Sequence, residues 1–384
     1  LPPMNLSCGG RLAKEVIEKK FGWRVMPDRV ANLTVEHNGR PACHYCGTCE
    51  RGCHTASYFN SPSVTLPAAA RTGRFTLVSD AVVSHVTTNA EGQATGVAYI
   101  DRSSHAAHEA RARIVVLAAS ALESTRILLN SRAPRHPNGL GNSSGALGHY
   151  LMDHFTLEGG GGFLPALKSS QREPEGRPCG FLIPKFVNVG KNVNKNFLRG
   201  YRMDGDGSQS LYEHAFSIPG FGAEIRRKVK QEIPVYFGMM VQGDCLPRFD
   251  NYVELDPAKK DAWGIPALRI HASYGENDHA MAKAMRQDLK EILDAMKVES
   301  PRPPREGLSL FGKNIHECGT ARMGSNPKTS VLNAFNQMHD VKNVFVTDGA
   351  CFTAEGPYEP TLTIMAISAR AAHYIAESSR RGEL

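Results

Sequence analysis

The sequence predicts an α/β fold joined to an α+β fold: a Rossmann-like domain, incomplete, and a second domain built on an antiparallel sheet with covering helices. Three observations carry this. Ile114-Val-Val-Leu-Ala-Ala is an all-apolar strand that suits a parallel sheet covered on both faces, and a helical stretch follows over residues 122–130. The middle of the chain is rich in Gly and Pro, with short strand-like runs at 235–241 and 252–255 and an amphipathic helix near 278–298. From about residue 312 the α/β pattern returns, with a strand core at 344–346 and an apolar-faced helix over 362–377. A chain that leaves an α/β domain and comes back divides into four parts: 1–65, 66–134, 135–311 and 312–384.

Each element has its own local reason. Leu12, Val16, Ile17 and Phe21 recur at helical spacing, and Gly22 stops that helix. Residues 36–65 read as a Cys-rich loop. Phe75-Thr-Leu-Val, residues 81–88 and residues 94–101 read as strands of an antiparallel meander, with Asn89-Ala-Glu-Gly supplying turn chemistry. Gly139-Leu-Gly141 and Gly159 to Gly162 read as loop glycines, because neither follows a buried strand and opens a helix.

Composition narrows the class. At 384 residues the chain can bury two cores, and 41% hydrophobic with 22% charged residues is ordinary for a globular protein. No apolar run reaches the ~18 residues of a membrane span. Net charge is +7 but spread out, and runs such as Arg226-Arg227-Lys228 lack interleaved aromatics, so they read as solvated helix faces and not as a nucleic-acid footprint. Residues 1–4 show neither the basic nor the apolar region of a signal peptide, and the sequence leaves cytoplasm and periplasm open.

Four of the nine cysteines fall together as Cys43-x2-Cys46-x2-Cys49-x3-Cys53. That is the spacing of a ferredoxin run, in which thiolates on a short loop converge on one inorganic core. His54 stands where the usual proline would follow. A 3Fe-4S or 4Fe-4S cluster, plain packing and turn residues, and a disulfide are the three readings of this loop.

Three further pieces lie close in sequence near the carboxyl end: His316-Glu-Cys-Gly-Thr-Ala-Arg-Met-Gly324, Asn343-Val-Phe-Val-Thr-Asp-Gly-Ala350 and Glu359-Pro-Thr-Leu-Thr363. The second is a buried strand ending in Asp348-Gly349, where a cofactor can approach backbone and a carboxylate can hold a ribose-like hydroxyl. The third opens a helix at Pro360, whose free N–H groups form a positive pole. Together they resemble the glucose–methanol–choline (GMC) family of flavin oxidoreductases, in its sugar- or glucoside-dehydrogenase-like branch. Asn138-Gly-Leu-Gly-Asn-Ser-Ser-Gly, Leu151-Met-Asp-His154 and the 114–129 strand–helix extend the resemblance backward over nearly the whole chain.

The resemblance implies FAD as cofactor, with Val83, Asp348, Gly349, Ala350, Pro360, Thr361 and Leu362 around it. Segments 66–134 and 312–384 would belong to the FAD domain, 135–311 to the substrate domain, and 1–65 to a connecting piece with the Cys loop. His316 would be the base that takes a hydroxyl proton from a sugar, glycoside or other alcohol as hydride leaves for the flavin. Electrons would pass to a non-oxygen acceptor, through a cluster on Cys43, Cys49 and Cys53 in some relatives, towards a cytochrome or small-subunit partner. Glu359 departs from the Asn or His usual at the second catalytic position; it would be protonated beside the flavin, paired with His316, or without that role. The Gly-x-Gly-x-x-Gly fingerprint is not in these residues and is expected upstream. The competing readings are an Fe–S electron-transfer or binding module and an inactive truncated remnant.

Overall fold

The computed structural model describes residues 1–47, 49–167, 178–208, 218–231, 235–304 and 306–384. The chain forms two compact units: Leu1–Leu77 with Thr156–Gly243 and His279–Ser309, and Val78–Phe155 with Asp244–Asp278 and Leu310–Leu384. These borders differ from those drawn on the sequence. Residues 135–155 and 244–278 pack with the α/β segments and not with the middle domain, while residues 1–65 join the first unit.

The first unit is a six-stranded sheet in the order β1 (Met26–Pro27), β7 (Phe181–Ile183), β8 (Tyr201–Ser208), β9 (Tyr236–Gly243), β6 (Phe155–Phe163) and β12 (Glu299–Arg302). Helix α1 (Cys8–Phe21) packs on β8. Ser7 Oγ caps its start by accepting the Gly10 N–H, and Gly22 closes it at φ 68° with its N–H on Glu18 O. Close packing is possible because both backbones are bare: a Cβ on Gly9 would lie 2.4 Å from Gly207 Cα. Gly159 to Gly162 are strand residues of β6 and not loop residues. A Cβ on Gly160 would meet the side chain of Leu289 on helix α5 (Glu276–Met296), and one on Gly162 would meet Val298 and Glu299, so these glycines make room for neighbours against the strand. Phe181, Met203, Phe237, Val241, Leu289 and Ile292 are fully buried.

The second unit carries the meander β2 (Ala81–Thr88), β3 (Ala94–Asp101), β4 (Ala107–Arg111), all antiparallel. Strand β4 has no apolar alternation to announce it, since every residue in it is exposed. Residues 75–78, expected as a strand, are irregular; Leu77 and Val78 are exposed and gain nothing from a ladder. Strand β5 (Val115–Leu117) pairs in parallel with β13 (Val344–Val346), register Val344 to Val115, and helix α3 (Ala121–Asn130) follows β5. The pair has one covered face and one open one: Val115 and Leu117 are buried, whereas Val116 is 46% exposed, against the expectation of burial on both sides.

Hairpin β10 (Tyr252–Lys260) and β11 (Pro266–His271) and helix α6 (Thr361–Arg380) complete this unit. Its core runs through Leu128, Leu140, Met152, Cys318, Leu332, Val344 and Val346, with Val83 packed against it. No helix among the described residues is long and apolar enough to cross a membrane.

Because Phe237 is completely buried opposite Phe181, with ring centroids 5.8 Å apart, Phe237→Ala should cost about 3–5 kcal/mol. Urea unfolding followed by circular dichroism measures this; a loss under about 1 kcal/mol would mean the sheet face is loosely packed.

Candidate active site

The site grows from backbone pairing in the second unit. The segment before Phe155 runs antiparallel to the segment that carries His316. Met152 and Cys318 exchange both N–H···O bonds (2.9 and 3.0 Å), and Thr320 N–H donates to His149 O. On its other side the same segment is joined to the end of β13: Gly319 N–H donates to Gly349 O, Ala321 to Ala350 O and Met323 to Cys351 O. Small residues permit this. A Cβ on Gly349 would sit 2.7 Å from Glu317 O, and one on Gly319, at φ 95°, would sit 2.0 Å from Tyr150 O. Thr320 Oγ1 ties the layer to α3 by donating to Ala121 O and accepting from Thr125 Oγ1.

Asp153, fully buried, holds the loop that carries His316. Its Oδ1 accepts the His316 N–H at 3.1 Å and its Oδ2 accepts the Asn314 N–H at 3.2 Å. Burial raises its pKa to about 6, opposed by these backbone donors. Asn314 Nδ2 donates to His154 O, and Tyr274 Oη donates to the same carbonyl at 3.3 Å.

The His316 ring is half-buried and meets a second imidazole. His154 Nδ1 lies 3.0 Å from His316 Nδ1, the rings edge to face at 5.1 Å. His154 is completely buried, and its Nε2 faces Gly356 O. Beside it stands Glu355, whose Oε1 is 3.2 Å from His154 Nδ1. That is ion-pair distance without hydrogen-bond geometry, and neither Glu355 oxygen has a hydrogen-bond partner. Burial, then Asp153, Asp244 and Glu317 nearby, push the Glu355 carboxyl up to about 10. Cys318 and Cys245 flank the cluster, their thiols raised chiefly by burial.

The sequence-predicted residues fall as follows. Asp348, Gly349 and Ala350 form the tight turn after β13, next to the His316 loop. The Asp348 carboxylate is turned inward: it accepts the Ser124 hydroxyl and the Ala350 N–H, and burial raises its pKa. Pro360, Thr361 and Leu362 open α6, whose first turn has no side-chain cap and no acidic residue, while Leu362 is 68% exposed. A bare, partly exposed helix start of this kind fits the electron-rich edge of a flavin. Val83 lies mid-strand in β2, paired with Tyr99. Glu359 is exposed; the buried carboxyl of that turn is Glu355. Glu355 was not singled out in the sequence, and Asp153 and His154 entered only as part of the run that extends the family resemblance. The adjacent acid and imidazole in Leu151-Met-Asp-His154 were the available signal.

The cysteine loop, in the other unit, does not gather. Cys43 Sγ accepts the Tyr45 N–H, Cys49 Sγ takes Asn32 Nδ2, and Cys53 Sγ accepts the Tyr58 N–H, which lowers its pKa. Each thiol is engaged with local donors, and Cys46 is exposed. Among the described residues no three His, Cys, Asp or Glu side chains are placed to hold a metal ion, and none of the nine cysteines is in a disulfide.

Family models for GMC oxidoreductases match residues 19–156 and 247–368. The 2-methyl-1,2-propanediol dehydrogenase of Mycolicibacterium austroafricanum is 33% identical over 98% of this chain and 67% of its own length. The chain belongs to the GMC oxidoreductase family. The fructose dehydrogenase large subunit of Gluconobacter japonicus is 27% identical over 99% of this chain and 68% of its own length. The chain thus spans about two thirds of these two relatives, and 62% of the paromamine 6'-oxidase of Streptomyces fradiae. The fold agrees with that of the pyridoxine 4-oxidase of Mesorbium loti, at TM-score 0.58 and 15% identity over 98% of this chain and 71% of that one. As a GMC oxidoreductase the chain has FAD as its cofactor and the CH–OH group of an alcohol or sugar as its substrate class.

Glu355 gives the unit a recognisable pH response. Its folded pKa lies above the ordinary 4.5, so the folded chain keeps a proton that the unfolded chain releases. Its contribution to stability is full below about 4.5 and is lost as pH rises towards about 10. Glu355→Gln should therefore flatten the fall of the thermal midpoint between pH 5 and pH 9, at most partly replaced by other groups. Parallel curves for the two proteins would show that the carboxyl is ionised in the fold.

Proposed function

We propose that His316 is the base of an alcohol-oxidising site that acts on a hydroxyl of a polyol, sugar or glycoside. One observation carries the reading. The His316 backbone is pinned by the buried Asp153 carboxylate and its Nδ1 is turned to His154, which leaves Nε2 as the nitrogen we assign to the substrate hydroxyl. A neutral imidazole suits this task, since its pKa lies near working pH. FAD, when bound, supplies the hydride acceptor. The uncapped start of α6 at Pro360-Thr361-Leu362 would lie against its electron-rich edge, and the turn Asp348-Gly349-Ala350 and Val83 would border the rest of it.

A hydrophilic substrate is favoured by two relatives, one named for a diol and one for fructose. The second is named a large subunit, which supports a smaller partner subunit, and both are named dehydrogenases, in keeping with a non-oxygen electron acceptor such as a cytochrome. The exposed Glu359 sits one residue before Pro360, beside the same helix start.

In the full-length flavoprotein, His316→Ala should retain bound flavin yet reduce it about 10²- to 10⁴-fold more slowly with substrate. Anaerobic bleaching of the flavin band measures both properties. Reduction at the parent rate would remove His316 from the chemistry.

A further inference from the structure

We infer that His154 is a positioning residue for His316, fixing it as the Nδ1–H tautomer with Nε2 unprotonated, and that Glu355 does its part as an uncharged carboxylic acid. The inference rests on the assignment of His316 as base.

Hydrogen-bond accounting leads there. Gly356 O can only accept, so the His154 nitrogen facing it, Nε2, carries a hydrogen. In a neutral imidazole the other nitrogen is then a lone pair. His154 Nδ1 is therefore an acceptor, and the nitrogen 3.0 Å away, His316 Nδ1, must be the donor. A neutral His316 that donates from Nδ1 has its lone pair on Nε2, the form a general base needs. Substrate proton arriving at Nε2 gives an imidazolium that still donates from Nδ1 to His154, so the contact survives the step with no rearrangement.

This pair of tautomers holds only while His154 is uncharged. A proton on His154 Nδ1 would turn that nitrogen into a donor, force His316 Nδ1 to accept, and place the His316 hydrogen on Nε2, blocking it. The group able to draw such a proton is Glu355, 3.2 Å from His154 Nδ1. Yet both its oxygens lack hydrogen bonds, its side chain has no exposure to water, and the neighbouring acidic groups are Asp153, Asp244 and Glu317. A carboxylate needs water or donors to hold its charge, and here it has neither. Asp244 accepts the Gly356 N–H at 3.2 Å and Asp153 accepts two amides of the His316 loop, whereas Glu355 has no hydrogen-bond donor.

The test is nitrogen-15 spectroscopy of the full-length protein with labelled histidine, read beside kinetics. At neutral pH the His316 signals should show Nδ1–H with Nε2 bare, and those of His154 Nε2–H with Nδ1 bare. Glu355→Gln, a neutral isostere, should leave both patterns in place. His154→Phe should release His316 from the Nδ1–H form and lower the plateau kcat roughly 10- to 100-fold with little change in KM, and His154→Asn, which keeps an acceptor near Nδ1, should recover part of it. A doubly protonated His154, a His316 hydrogen on Nε2, or a pattern that changes in Glu355→Gln would each overturn the inference. His316→Ala with undiminished flavin reduction would instead remove the base assignment while the tautomer result stood.

Discussion

The Asp153 carboxylate, buried and shared between two backbone N–H groups, is the joint on which the site depends. A carboxylate taken out of water is costly unless donors replace the water, and here the donors are the amides of Asn314 and His316. The loop must adopt the path that offers those amides, so the charge of one side chain sets the position of another. Pairing of Met152 with Cys318 brings Asp153 within reach, and pairing of Gly319 and Ala321 with Gly349 and Ala350 fixes the loop from the other side. The imidazole is thereby held by three segments that are far apart in sequence.

The glycines at the crossing explain why the motif tolerates so little bulk. Gly319 and Gly349 stand where a methyl group would strike a carbonyl oxygen at 2.0 and 2.7 Å. At Gly319 the backbone is also left-handed, so sterics and conformation make the same demand there. The Gly-Thr pair after Cys318 belongs to the same economy: the threonine hydroxyl reaches α3 while the glycine lets Tyr150 pass. The role proposed for His316 thus rests on a loop held by close backbone packing.

A second theme is how burial sorts acids. Asp348 keeps its place through the Ser124 hydroxyl and the Ala350 N–H, Asp153 through two loop amides, and Asp244 through Gly356. Glu355 has no such donors, and that difference decides which of the buried carboxyls holds a proton. Burial is the first cause of the upward shift at Asp153, Asp348 and Glu355, and hydrogen-bond donors oppose it at the first two.

By itself the sequence determined the elements with strong periodicity and the motif with rigid spacing. Helices α1, α3, α5 and α6, the meander of β2 and β3, and the parallel pairing partners β5 and β13 were legible because burial imposes a repeat on apolar residues. His316, Asp348-Gly349-Ala350 and Pro360 were singled out through the family resemblance, and the structure adds the close packing at Gly349 and the helix start at Pro360. Strand β4 and the glycine strand β6 were not, since one is wholly exposed and the other hides its contacts in missing side chains. Only the tertiary structure could decide that residues 135–155 and 244–278 pack with the α/β segments, that the cysteine thiols point to separate local donors, and that Glu355 rather than Glu359 is the buried acid. The reason is physical: a side chain's charge, tautomer and reach are set by donors and neighbours brought in from distant parts of the chain, and spacing along one segment carries no record of them.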